Sequence, residues 1–175
     1  MNKELIKGLI AEYQQFVKSV SFVKRAVTLS DNFNYVFVGL RRVGKSYLMY
    51  QQIHHLIEIG ISPEEILFFN FEDERIAGMD TEHLDMIKRC YEEMYSHRPI
   101  FFLDEIQIVP HWEQFVRRLA DQKYRVYVTG SNAKMLSKDI ATTLGGRFMI
   151  QYVYPFSFRE YLSSNGVQLD RLWIY

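Results

Sequence analysis

Five short apolar runs constrain the fold more than any other feature of this chain. They are "NYVFVG" (34–39), "ILFFNF" (66–71), "PIFFLDE" (99–105), "YRVYVTG" (124–130) and "RFMIQYVY" (147–154). Each is rich in β-branched and aromatic residues, and each is too short for a helix. The stretches between them carry helical periodicity. Strands that are apolar on both faces need cover on both faces, and strands joined through helices run parallel. The chain is therefore expected to form an α/β domain of three layers, helix–sheet–helix, around a mainly parallel five-stranded sheet.

Local signals mark the joints. Lys45 to Ile59 reads as a helix stopped by Gly60, and Thr81 to Ser96 as a helix capped by Asp80. "SPEE" at 62–65 has a capping serine, a proline at the first helical position and a glutamate three residues after the cap. "WEQFVRRLADQ" and "NAKMLSKDIATTL" supply two more helices, the second closed by Gly145 and Gly146. The first thirty residues read as helix, with Leu5, Leu9, Ile10, Tyr13, Phe16, Val17 and Val20 at helical spacing. "SFREYLSS" begins another helix after Pro155. A single domain over 1–175 follows, with a helical segment at 1–30, a core at 31–155 and a C-terminal helical segment starting at 156–175. The apolar ending "LDRLWIY" reads as a cut inside a larger protein.

At the end of the first run stands "GLRRVGKSY". Gly39, Leu40, Arg41, Arg42, Val43, Gly44, Lys45 and Ser46 fit the phosphate-loop pattern G-x-x-x-x-G-K-[ST], and Tyr47 opens the helix beside them. The glycines let the backbone curl so that N–H groups point inward at phosphate oxygens. The helix that follows adds its positive end. Lys45 then reaches the β- and γ-phosphates, and Ser46 offers a hydroxyl to Mg²⁺. Arg41 and Arg42 either shield phosphate charge or face a partner.

The third run ends in Asp104 and Glu105. A carboxylate at the tip of a hydrophobic strand needs a cation or donors to meet it. Mg²⁺ beside Ser46 gives Asp104 that cation, directly or through water, and Glu105 suits a base that activates water. No guanine-reading Asn-Lys-x-Asp or Thr-Lys-x-Asp follows a later strand, and Glu105 favours transfer to water over transfer to a small acceptor. The fourth run ends in Thr129, Ser131 and Asn132. In a sheet that places this strand between the first and third, they face the γ-phosphate; the alternative is ordinary helix capping. Arg147, after two glycines, is either an arginine finger presented to a neighbouring subunit or a surface residue at a strand start.

Composition removes other classes. Lys+Arg and Asp+Glu both number 21, a formal net charge of zero, which does not support a nucleic-acid-binding surface. No run approaches the ~18 apolar residues of a membrane span. With no signal-peptide core at the N-terminus, the cytoplasm is the expected location. The single cysteine, Cys90, cannot form an internal disulfide and reads as a packing residue. His54, His55 and Glu58 read as a polar helix face rather than a metal site.

Taken together, "GLRRVGKSYL", "NFEDERI", "FFLDEIQIVPHWEQFVRRL", "VTGSNAKML" and "LGGRFMIQYVYPFSFREYL" resemble the AAA+-like ATPases of bacteria and archaea. More narrowly, they resemble the group that joins an N-terminal ATPase domain to a C-terminal winged-helix and nuclease-like domain. The resemblance covers about residues 30 to 162. It implies a strand order of 5-1-4-3-2, ATP with Mg²⁺ as ligand, Ser131 in the sensor position and Arg147 as finger in a homo-oligomer. It gives no role to Asp73 or Glu74. Two further readings stay open: a nucleotide-dependent switch with slow or no hydrolysis, and an ATPase module of a nucleic-acid-processing protein.

Overall fold

The computed structural model describes residues 2–131, 135 and 139–167. Its sheet contains β1 (Asn34–Val38), β2 (Ile66–Asn70), β3 (Ile100–Asp104), β4 (Val126–Gly130) and β5 (Phe148–Tyr152). All pairings are parallel, in the order β2-β3-β4-β1-β5. Read from the other edge this is the expected 5-1-4-3-2. The helices are α1 (Lys3–Ser19), α2 (Lys45–Glu58), α3 (Thr81–Met94), α4 (Trp112–Asp121), α5 (Asp139–Thr143) and α6 (Phe158–Ser164).

Aromatic side chains build the core on both faces. Phe68, Phe102, Tyr127 and Tyr35 occupy matching register positions on β2, β3, β4 and β1. Phe102 and Tyr127 stack at 4.5 Å, and Tyr127 and Tyr35 at 5.9 Å. Tyr13 of α1 and Tyr50 of α2 close on Phe68, so those helices cover this face. On the opposite face Phe115 of α4 meets Phe101 edge-on. Helix α3 lies beside α4, linked by the Arg118–Asp85 ion pair. Gln14 of α1 donates to the Ile66 carbonyl on edge strand β2, which blunts an edge otherwise open to pairing.

The capping signals hold. Ser62 and Asp80 both form capping boxes. Gly60, Gly145 and Gly146 take positive φ angles where the sequence stops its helices. Cys90 is buried.

The N-terminal expectation needs correction. The helix ends at Ser19, and 20–33 runs without regular helix or strand. Val20 is already extended, with φ −67° and ψ 130°. The segment bonds to the side chain of Gln51, which accepts from the Arg25 N–H at 2.7 Å and donates to the Arg25 carbonyl at 3.0 Å. A side-chain amide thus takes the place of a neighbouring strand. Within α1 the buried face contains Ile6, Leu9, Ile10, Tyr13 and Val17, while Leu5 and Phe16 are exposed.

That extended segment carries an anchor. The Arg25 guanidinium pairs with Glu160 of α6 at 2.9 and 3.2 Å, and donates to the carbonyls of Val43 (3.3 Å) and Tyr154 (2.9 Å). It also lies over the Phe156 ring at 5.2 Å. Its hydrogen bonds hold the Glu160 carboxyl down at about 2, from an ordinary 4.5. A lowered folded-state pKa means that this contribution is present above 4.5 and is lost as pH falls toward 2. Arg25→Met is expected to destabilise by about 3 kcal/mol, because it strands a shielded carboxylate and two carbonyls. Thermal unfolding at neutral and acid pH checks this: the gap between variant and parent should narrow in acid.

Candidate functional site

The parallel strands β1, β3 and β4 lie side by side, so their C-terminal ends and the loops after them share one edge. That edge is where a ligand crevice forms in open parallel sheets. After β1, Gly39 lies against the backbone of the segment beyond β5. A Cβ there would stand 2.3 Å from the Val153 carbonyl oxygen, so only glycine fits. Arg42 and Gly44 take left-handed conformations, φ 63° and 91°, which curl the loop. Gly44 caps α2 without a side-chain hydrogen bond. The first N–H groups of a helix lack intrahelical partners, so those of α2 are presented to the crevice.

The side chains converge there. Lys45 is buried; its ammonium donates to the Leu40 carbonyl at 3.1 Å and lies 3.4 Å from Glu105 Oε1. Ser46 Oγ donates to Asp104 Oδ1 at 3.0 Å. Thr129 Oγ1 donates to the same oxygen at 2.5 Å and accepts from the Glu105 N–H at 2.8 Å. Ser131 Oγ and Gln107 Nε2 both donate to Glu105 Oε2, at 2.9 and 2.5 Å. Arg41, Arg42, Gly44, Lys45, Ser46, Tyr47, Glu72 and Glu105 line a cavity of about 600 Å³. A second, more apolar cavity of about 620 Å³ adjoins it, sharing Arg42, Gly44 and Tyr47 and adding Phe22, Val23, Pro155 and Phe156.

The sequence-named residues divide accordingly. Lys45, Ser46, Asp104, Glu105 and Ser131 come together. Leu40 and Arg41 are largely exposed, at 65% and 76%. Arg41 pairs with Glu72 across the cavity mouth at 2.9 Å, a partner the sequence reading did not single out. Thr129 departs from expectation. It is fully buried and serves the two acids instead of facing a ligand. Asn132 lies outside the described residues. Arg147 is not brought into the site. Its main chain accepts from Asn34 at the start of β1, and its side chain pairs with Asp121 at 2.6 Å. That is the other end of the strands, roughly 17 Å from the loop after Val38. Asp73 gains a structural role: it accepts from the Tyr13 hydroxyl at 2.6 Å and from Arg75, which also grips Glu12. This cluster fastens α1 to the segment after β2.

Burial pushes the Asp104 carboxyl up to about 6, against the lowering effect of the Thr129 and Ser46 hydroxyls. The hydroxyl of Ser46 and the carboxylate of Asp104 are hard oxygen donors, the kind Mg²⁺ takes alongside water and phosphate oxygens. Among the described residues no group of three or more His, Cys, Asp or Glu side chains gathers into a self-sufficient metal cage.

The chain matches the family described as AAA domain over residues 31–162. It belongs to that family. This AAA domain is 33% identical over 171 residues to an uncharacterized protein of Methanocaldococcus jannaschii, covering 97% of this chain and 37% of that relative. It is 36% identical over 151 residues to an uncharacterized protein of Haemophilus influenzae, covering 84% of this chain and 38% of that one. It therefore spans little more than a third of these relatives' length. Among solved structures it is similar to the Aeropyrum pernix ORC1 protein in complex with DNA. That match has a TM-score of 0.46 and 15% identity, and covers 94% of this chain and 49% of the other. The AAA+-like ATPase resemblance read from the motifs agrees with the family. Among the described residues no helix is long and apolar enough to cross a membrane.

One expectation follows from Asp104. An acid raised in the folded state contributes stability when protonated, below 3.8, and loses it as pH rises through about 6. Without nucleotide or Mg²⁺, Asp104→Asn should raise stability at neutral pH by up to about 3 kcal/mol, and the unfolding temperature with it. Below pH 4 the gain should vanish. Calorimetry at the two pH values checks both.

Proposed function

We propose that this AAA domain binds Mg-ATP at the Gly39–Ser46 loop and hydrolyses it. One observation carries the reading: Lys45, Ser46, Asp104, Glu105 and Ser131 meet within hydrogen-bonding or ion-pair distance at one edge of the sheet. Lys45 moves from Glu105 to the β- and γ-phosphate oxygens, joined by the α2 amides. Ser46 and Asp104 would hold Mg²⁺, which when bound would neutralise phosphate charge. Glu105, released from Lys45, orients the attacking water. The adjoining apolar cavity beside Phe22 and Phe156 suits the nucleoside base.

Arg147 lies too far from its own loop to act there. In this reading it serves the γ-phosphate of a neighbouring copy in a homo-oligomer. A second reading has its own support. The Lys45–Glu105 pair neutralises both groups before any nucleotide binds. A domain that stayed so paired would be a binding switch with little hydrolysis.

Lys45→Ala should abolish binding of a fluorescent ATP analogue; unchanged affinity would remove the loop from the proposal. Glu105→Gln should keep that binding and slow phosphate release by about 10²–10⁴-fold. A parent that binds Mg-ATP without turnover would favour the switch. Mixing Arg147→Ala chains with Lys45→Ala chains tests the arginine: partial recovery of hydrolysis shows action in trans, and no dependence on mixing or protein concentration returns Arg147 to a structural role.

A further inference from the structure

We infer that Gln107 is a positioning residue for Glu105, one that anchors one carboxylate oxygen so that the other is aimed at the attacking water. The inference rests on the proposed hydrolysis and adds to it a residue outside the phosphate loop and the acid pair.

The geometry is specific. Glu105 adopts a left-handed conformation, φ 52°, and precedes a single 3-10 turn at Ile106–Ile108. A non-glycine residue there is strained. The turn brings the Gln107 amide onto the Glu105 carboxylate two residues earlier, with Nε2 at 2.5 Å from Oε2. Ser131 donates to that same oxygen from β4's end. Oε1 is left facing Lys45. The carboxylate therefore has one tethered oxygen and one working oxygen. When Lys45 turns to phosphate, Oε1 is freed while Oε2 stays held.

Two features mark the amide as placed for this contact. Its own Oε1 is buried with no hydrogen-bond partner among the described residues. Turning the amide over would set that oxygen against the carboxylate, so the NH₂ end is dictated by Glu105. Leaving a buried acceptor unpaired is costly, and a purely structural glutamine would avoid it. The second feature is Gly130. A Cβ at that position would stand 2.6 Å from both Gln107 Oε1 and Met135 Cε, so the amide and the methionine side chain share the space over the glycine. A serine hydroxyl rotates about its C–O bond, whereas the amide N–H lies in a fixed plane. Gln107 therefore sets direction in a way that Ser131 alone does not.

The test compares Gln107→Leu, Glu105→Gln and the double variant in the full chain, with steady-state Mg-ATP hydrolysis, nucleotide affinity and unfolding temperature measured on each. Gln107→Leu should lower kcat by about 10–100-fold with KM and affinity unchanged. Its unfolding temperature should not fall, since the substitution removes the unpaired oxygen. Gln107→Asn, which withdraws the amide by one methylene, should lose kcat similarly and guards against misfolding of the leucine variant. In the Glu105→Gln background, Gln107→Leu should cause no further loss, because the glutamine acts through the glutamate. Parental kcat in Gln107→Leu, or an equal fold-loss with and without Glu105, overturns the inference while leaving the hydrolytic reading intact. If Glu105→Gln hydrolyses like the parent, the assignment of Glu105 falls and takes this inference with it.

Discussion

The buried hydroxyl of Thr129 decides where the two acids of the site stand. It donates to Asp104 Oδ1 and accepts the Glu105 N–H, and so ties the end of β3 to the end of β4. The tie sits where the chain turns sharply after Asp104. The left-handed Glu105 needs its N–H satisfied away from the strand ladder, and the hydroxyl satisfies it. The two acids thereby part: Asp104 turns to Ser46, and Glu105 to Lys45 and Ser131.

Strand order gives this local arrangement its reach. Because β4 sits between β3 and β1, the acids and the residues of the Gly39–Ser46 loop approach the crevice from neighbouring strands. Each side chain travels only a short way, and aromatic stacking across β3, β4 and β1 holds the spacing. The polar groups are thus carried at the ends of buried central strands. Gly39 sits where the Val153 backbone approaches too closely for any Cβ, and Gly130 where the side chains of Gln107 and Met135 close over it.

Much of this was legible in the sequence. Five apolar runs gave five strands, with ends displaced by only one or two residues: four are buried on both faces, which leaves an unambiguous pattern, while edge strand β5 exposes Met149 and Tyr152 yet keeps its apolar run. That the Gly39–Ser46 loop and the Asp104–Glu105 pair belong to one site was legible for the same kind of reason: charge at the end of a buried strand is costly and therefore conspicuous. What stayed hidden depends on contacts distant in sequence. Nothing in "SVSFVKRAV" announces that Gln51 will serve its backbone as a strand would. Thr129 looked like a ligand-facing side chain because alternation cannot tell the crevice side of a strand end from the side facing the next strand. Gln107 stands in an otherwise apolar turn, and that lone polar residue was the one signal available. Arg25, one cation among 21, carried none.

Arg25 also joins two parts of the molecule that are far apart along the chain. One guanidinium serves the Val43 carbonyl of the Gly39–Ser46 loop and the Glu160 carboxylate of α6. The loop and the helix therefore share a thermodynamic variable. Whatever redistributes the hydrogen bonds of that guanidinium at one end alters the free energy of contact at the other, by the same amount in both directions.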